Sequence, residues 1–213
     1  MAYLINSLRL ASPKPATKYF FDANIWLRIV NPKLTPKASD IAYVDFFQSV
    51  AKYNQNTKIV VTSLLISEVI NRFLRSSSLP RYARANGAPA QLDDSYYKSV
   101  YRQSAQFKID YEMLCDDIYK PYHIAVEAVP DEFGSTFRLK DMLKSPPKGL
   151  DFNDLCAAKL CKEKGYVIVT DDSDFFIEDT PVLTLNKTLL DRVSIEIAKP
   201  NLASKTIHKP DAQ

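Results

Sequence analysis

The chain has 213 residues, 46% of them hydrophobic, with 12 Tyr, 11 Phe and one Trp, which is bulk enough to bury a core without staples and excludes a disordered chain. Its 28 Lys and Arg stand against 25 Asp and Glu, and the resulting charge of +3 neither requires nor excludes nucleic acid, because placement decides. The three cysteines, Cys115, Cys156 and Cys161, form no CxxC pair, which excludes a disulfide framework and a cysteine-rich zinc site; with only 2 His, any bound metal has to be held by oxygen.

Residues 1–17 read as an N-terminal extension ending at Pro13-Lys14-Pro15, without the apolar run of a secretory leader. Lys18–Phe21 reads as a short aromatic strand stopping at Asp22, and Asn24–Val30 as a helix closed by Asn31-Pro32. Ala38–Tyr53 has helical apolar spacing. Lys58–Thr62 is a β-branched strand that leads straight into a helix from Ser63 to about Arg75. Ser76–Asp94, with Pro80, Gly87 and Pro89, reads as a mobile loop, and Ser95–Tyr119 as one long helix. His123–Val129 reads as a strand or extended connection, Glu132–Leu143 as a short helix, and Ser145-Pro146-Pro147-Lys148-Gly149 as a break. Asn153–Lys164 is a helix that Gly165 caps, with Cys156 and Cys161 as small core residues. Tyr166–Thr170 is a strand, Ser173–Glu178 a short helical turn, and Pro181–Leu185 the last strand, before a polar tail over 198–213. Strands alternating with helices specify an α/β fold with a mainly parallel sheet. No stretch approaches a membrane span, and the expected location is the cytoplasm.

Parallel sheets build their sites beyond the carboxyl ends of the strands, and this chain places acids at those points repeatedly. Asp22 follows the first strand and reads either as a helix cap or as a site residue. Glu68 lies one turn into the helix after Lys58–Thr62, away from the stripe of Ile66, Val69, Ile70 and Phe73; it reads either as an ordinary i,i+4 partner of Arg72 or as a site residue. Asp154 shares a face with Ala157, Ala158 and Cys161, so its carboxylate points toward the core. There it needs a partner, unless it serves the first helical turn with Asp151 or Asn153 as the cap. Asp171, Asp172 and Asp174 follow a Val-Ile-Val-Thr strand; they suit an Asp-rich turn, yet three acids in four positions repel one another unless a cation neutralises them. Mg²⁺ and Mn²⁺ favour such hard oxygen donors, and phosphodiester hydrolysis needs what these ions supply.

Four pieces, Phe-Phe-Asp22-Ala-Asn24, Thr62-Ser63-Leu-Leu-Ile-Ser-Glu68, Asn153-Asp154-Leu-Cys-Ala-Ala and Val-Thr170-Asp-Asp172-Ser-Asp174-Phe175, resemble the PIN-domain nucleases, including the VapC-type toxins, in the right order over about residues 18–186. The resemblance implies a PIN-like α/β/α sandwich over 18–197, with an enlarged helical insertion at about 76–120. It implies an endoribonuclease dependent on Mg²⁺ or Mn²⁺. Asp22, Glu68, Asp154 and Asp172 match the acidic quartet that would act in catalysis and hold metal, and Asp174 an additional acidic position; Asn24 and Thr170 match supporting polar positions, and Asp171 matches none. If the chain is the toxin of a toxin-antitoxin pair, an antitoxin would block the site, and homodimers are common in the family.

Compact toxins of this kind are shorter, and the enlarged region interleaves Arg75, Arg81, Arg84, Lys98 and Arg102 with Tyr82, Tyr96, Tyr97 and Tyr101, near Arg72. Such residues either grip phosphates and stack on unpaired bases or form a solvated helix face with the tyrosines packed inward. Two other readings compete. A silent PIN fold used for RNA binding or scaffolding would be missing acids, which are all present. A haloacid-dehalogenase-type phosphatase would need Asp where Asn24 stands.

Overall fold

Among the described residues there are six strands, β1 (Ile5–Ser7), β2 (Lys18–Phe21), β3 (Lys58–Val61), β4 (Val126–Ala128), β5 (Val167–Val169) and β6 (Val182–Thr184), of which β2, β3, β5 and β6 are built mainly from β-branched and aromatic residues. The computed structural model describes residues 2–88, 92–131 and 149–203. All five strand pairings are parallel, in the order β1-β6-β5-β2-β3-β4. The chain moves outward from β2 through β3 to β4, then returns to the other side of β2 with β5. The connections that follow β2 and β5 therefore run to opposite sides of their junction, the kind of switch point that opens a crevice.

Helices cover both faces. α1 (Ala23–Val30) follows β2, and α2 (Ala38–Lys52) lays Phe46 and Phe47 on the face that carries Tyr19 and Phe21. Phe20, one residue out of phase, turns to the opposite face with Leu160 and Cys156 of α7 (Phe152–Lys164). Gly165 ends α7 at φ 69°, a left-handed position that costs glycine little.

Several boundaries differ from the sequence reading. Residues 5–7, expected as part of an extension, form the edge strand β1 beside β6. The first half of the loop expected over Ser76–Asp94 is helical, since α3 (Ser63–Phe73) passes through a π-helical stretch, Leu74–Ser78, into α4 (Leu79–Ala85); 86–88 and 92–93 are not helical, and 89–91 lie outside the described residues. Pro80 sits in the first turn of α4, where its missing N–H is not needed, so it does not break the rod. The single long helix expected over Ser95–Tyr119 is instead α5 (Asp94–Ser99), a 3₁₀ turn, and α6 (Ala105–Tyr119), which Ser104 starts by accepting from Phe107 N–H. The break lets Tyr101 turn inward with Tyr97, Leu74 and Leu79, forming a second small core. The expected helical turn over Ser173–Glu178 is not a helix; Asp172 takes the Asp174 N–H instead. α8 (Lys187–Ala203) was not foreseen and replaces the start of the expected tail; Asn186 caps it, and Leu189 and Val193 bury its apolar edge. The helix expected over Glu132–Leu143 and residues 204–213 lie outside the described residues.

Asp110 of α6 is buried and accepts from Tyr101 Oη at 2.7 Å, Arg81 Nη2 at 3.0 Å and Gln106 Nε2 at 2.9 Å. This carboxylate ties α4, the 3₁₀ turn and α6 together. Asp110→Ala is expected to destabilise the chain by about 2–4 kcal/mol in urea denaturation, because it strands a buried hydroxyl and removes a buried charge partner. Arg75→Ala, which breaks a solvent-exposed pair with Asp94, is expected to move the urea midpoint far less. Equal effects would mean that the buried network does not hold the insertion.

Candidate functional site

At the β2–β5 junction Phe21 pairs with Val169, so Asp22 and Thr170 emerge side by side. Asp22 caps α1 through Oδ1, which accepts from Ala23 N–H at 2.6 Å. Its Oδ2 accepts from Asn24 Nδ2 at 2.5 Å and from Thr170 Oγ1 at 2.8 Å. The capping role and a second, precisely held oxygen therefore coexist in one side chain. Burial raises this carboxyl from 3.8 to about 6, against the pull of the Thr170 hydroxyl and the Ala23 N–H, with Glu68 and Asp172 adding to the rise.

α3 begins at the end of β3, where Thr62 caps it by accepting from Leu65 N–H at 3.1 Å. Glu68, one turn on, is half-buried and accepts from Arg72 Nη1 at 3.1 Å. The ordinary i,i+4 pair is thus present, and Glu68 also lines the crevice. At the start of α7, Asp151 accepts from Asp154 N–H at 2.9 Å, which leaves the Asp154 carboxylate free of capping duty. Burial, then the charges of Asp22, Asp151, Asp172 and Glu68, push Asp154 from 3.8 to about 8. The crevice between α3 and α7 encloses about 460 Å³; Asp22, Glu68 and Asp154 share its wall with apolar Phe20, Leu65 and Leu160.

The remaining predicted residues divide. Asp172 stands off the crevice wall, held by its N–H to Thr170 Oγ1 at 2.9 Å, and is near enough to raise both Asp22 and Asp154. Asp174 is exposed and is not brought to the wall. Asn24 and Thr170 both touch Asp22, as supporting residues would. Asp171 pairs with Arg28 Nη2 at 2.5 Å and accepts from Tyr43 Oη at 3.1 Å, away from the crevice. One acid was missed: Asp131 lines the crevice, with the Ser63 hydroxyl donating to it. Its signal was the one that marked Asp22, an acid soon after a strand, hidden here behind Val129-Pro130.

Among the basic candidates, Arg72 holds Glu68, Arg75 and Lys98 pair with Asp94, and Arg81 pairs with buried Asp110. Arg102 lies over the Tyr97 and Phe107 rings at 6.0 and 5.7 Å, and Arg84 is exposed. Tyr97 and Tyr101 are buried, so the inward-packed reading holds for those two.

Among the described residues no three His, Cys, Asp or Glu side chains are gathered as a ready metal-ligating group. Asp22 and Asp154 are each near enough to Glu68 and Asp172 for those charges to raise them. As a donor set, hard oxygens from β2, α3 and α7 around one crevice fit Mg²⁺ or Mn²⁺ in chemistry. No helix among the described residues is long and apolar enough to cross a membrane.

The raised carboxyls make stability depend on pH. Below about pH 4 Asp154 is protonated both folded and unfolded; between there and about 8 the unfolded chain ionises while the folded one keeps its proton, so folding weakens as pH rises through that window. Asp22 adds the same sign up to about 6. In metal-free buffer, Asp154→Asn is expected to match the wild type at pH 4 and to exceed it at pH 8 by on the order of 1–3 kcal/mol, or several degrees in Tm. A constant difference across that range in thermal melts would show that Asp154 ionises freely.

No family model matches the chain, and no curated protein matches it. Among solved structures it is similar to VapBC2 from Rickettsia felis bound to a DNA fragment from their promoter, at 16% identity and a TM-score of 0.48, covering 79% of this chain and 98% of that one. It is also similar to PAE2754 from Pyrobaculum aerophilum, at 17% identity and a TM-score of 0.43, covering 84% and 91%.

Proposed function

We propose that this chain is a PIN-like endoribonuclease that hydrolyses RNA phosphodiester bonds with Mg²⁺ or Mn²⁺. The observation that carries the reading is the convergence of Asp22, Glu68 and Asp154 on one crevice at the switch point of a parallel sheet. Asp22, Glu68 and Asp154 would hold the cation, with Asp172 reaching in from the margin and Asp174 assisting from outside. The ion, when bound, supplies neutralisation of phosphate charge and activation of water.

The chain's own residues do the rest. Thr170 and Asn24 fix the orientation of Asp22, so one donor oxygen is in place before anything binds. Phe20, Leu65 and Leu160 give the crevice an apolar wall, which strengthens every charge interaction inside it. Asp154, held at about 8, would have to give up its proton to serve as a ligand, so its part in holding a cation would strengthen with rising pH. Exposed Arg84 and the ring-stacked Arg102 belong to the surface that would meet RNA, with Arg72, Arg75, Arg81 and Lys98 near them already paired to acids. The resemblance to VapC-type toxins extends the proposal to the toxin of a toxin-antitoxin pair, with an antitoxin and a second copy of the chain as partners.

The second reading is a catalytically silent PIN fold that binds RNA or scaffolds other proteins. It draws on the lack of a ready ligand group among the described residues. Purified protein incubated with a mixed RNA pool in Mg²⁺, Mn²⁺ or EDTA separates the two. Cleavage is expected with either ion, none with EDTA, and a loss of roughly a hundredfold or more in Asp154→Asn. Equal cutting by wild type and variant would place the activity elsewhere, and no cutting by folded protein would favour the silent module.

A further inference from the structure

Glu68 and Arg72 sit one turn apart on the same face of α3, with Oε1 and Nη1 at 3.1 Å. The Glu68 side chain is 30% exposed and that of Arg72 51%, so this is a solvated pair of the kind that contributes little to stability and is readily exchanged. Glu68 nevertheless lines the same crevice as Asp22 and Asp154, while one of its oxygens is taken by the guanidinium. The cations next along the rod are differently placed. Arg75 pairs with Asp94 and stacks on the Tyr97 ring at 4.1 Å, and Arg81 pairs with buried Asp110. Among the described residues Glu68 is the ion-pair partner of Arg72, and a guanidinium released from it would lie beside the crevice without an acidic partner.

Resting on the nuclease reading of this crevice, we propose that Arg72 is an exchangeable counter-ion: a divalent cation displaces it from Glu68, and the freed guanidinium then takes a backbone phosphate of the incoming strand. Guanidinium geometry suits either acceptor, since carboxylate and phosphate both offer paired oxygens. With the strand absent, Arg72 competes with the cation for Glu68. With the strand bound, Arg72 has a second acceptor and the competition ends. Cation and strand therefore tighten each other's binding through this pair, by the same factor in both directions.

The test uses the full chain, Mn²⁺ alone as the first probe, and a nuclease-resistant 2′-O-methyl single-stranded oligonucleotide as the second. Calorimetry compares wild type, Arg72→Gln, Arg72→Lys and Arg75→Gln, the last removing the same charge from the same rod without touching Glu68. Arg72→Gln is expected to bind Mn²⁺ about two- to fivefold tighter than wild type, with Arg72→Lys and Arg75→Gln close to wild type. The tightening of oligonucleotide binding that Mn²⁺ produces is expected to shrink at least about twofold in Arg72→Gln alone. If Arg72→Gln binds Mn²⁺ no tighter than Arg75→Gln, or if its coupling equals that of wild type, the exchange does not occur although the crevice holds metal. If wild type binds no Mn²⁺, the metal reading of the crevice fails and the exchange fails with it.

Discussion

One hydroxyl sets the relative positions of acids that the sequence places far apart. Thr170 ends β5 where Asp22 ends β2, and its Oγ1 donates to Asp22 Oδ2 while accepting from Asp172 N–H. A hydroxyl has one proton and two lone pairs, so a single atom serves as donor to one strand's acid and acceptor from the next acid's backbone. Both contacts depend on the parallel register that makes Phe21 and Val169 partners; a slip of one residue would turn Thr170 to the other face. The crevice residues on α3 and α7 are arranged around this fixed point.

A second brace explains why three acids can crowd the turn after β5. Asp171 is neutralised by the protein itself: Arg28 pairs with its carboxylate, and Tyr43 Oη reaches both Asp171 and the Thr170 carbonyl. Arg28 also holds Asp40 at 3.0 Å and lies over the Tyr43 ring. The repulsion in this turn is therefore relieved from the α1–α2 side at its first member. What the fold leaves uncompensated is on the other side, at Asp22 and Asp154, whose carboxyls are raised to about 6 and about 8.

The central strands were legible because β2, β3 and β5 are β-branched or aromatic runs ended by a polar residue, whereas β1, an Ile-Asn-Ser segment, carries no such run. The acids at the ends of β2 and β5 could be read for the same reason. The inward direction of Asp154 was legible from helical spacing, since Ala157, Ala158 and Cys161 mark its face, while spacing left open a first-turn role. What the sequence hid was mostly a matter of context. Pro80 and a serine run suggest a loop, but a proline in the first turn of α4 breaks nothing, and burying Leu74 and Leu79 against Tyr97 and Tyr101 favours a helix there. α8 hid beside a polar tail because its apolar contact with the core is a narrow edge, with Leu189 and Val193 buried and Leu190 half-buried. Asp131 hid because Val129-Pro130 separates it from the end of β4, and only three dimensions bring it beside Ser63. Whether Glu68 serves Arg72 or the crevice could not be decided from spacing, because its position on α3 offers it both.

The insertion and the crevice are mechanically one piece. α3 carries Glu68 and runs through the π-helical stretch into α4, whose Arg81 is locked to Asp110. A helix carried across a π-bulge keeps its direction set by packing at both ends, here the main core at Val69 and the second core at Leu79. Glu68 thus has little freedom of backbone, and its choice of partner is made by side-chain rotation alone. The choice lies between a weak, solvated guanidinium and a crevice where two carboxyls are held above their ordinary range. Without a cation, turning Glu68 further inward would crowd it against Asp22 and Asp154, and the pair with Arg72 is the cheaper state. Under the proposed metal-dependent reading, a divalent charge in the crevice would reverse the balance, because it would offset the repulsion at Asp22 and Asp154 and give Glu68 a stronger partner than a surface arginine.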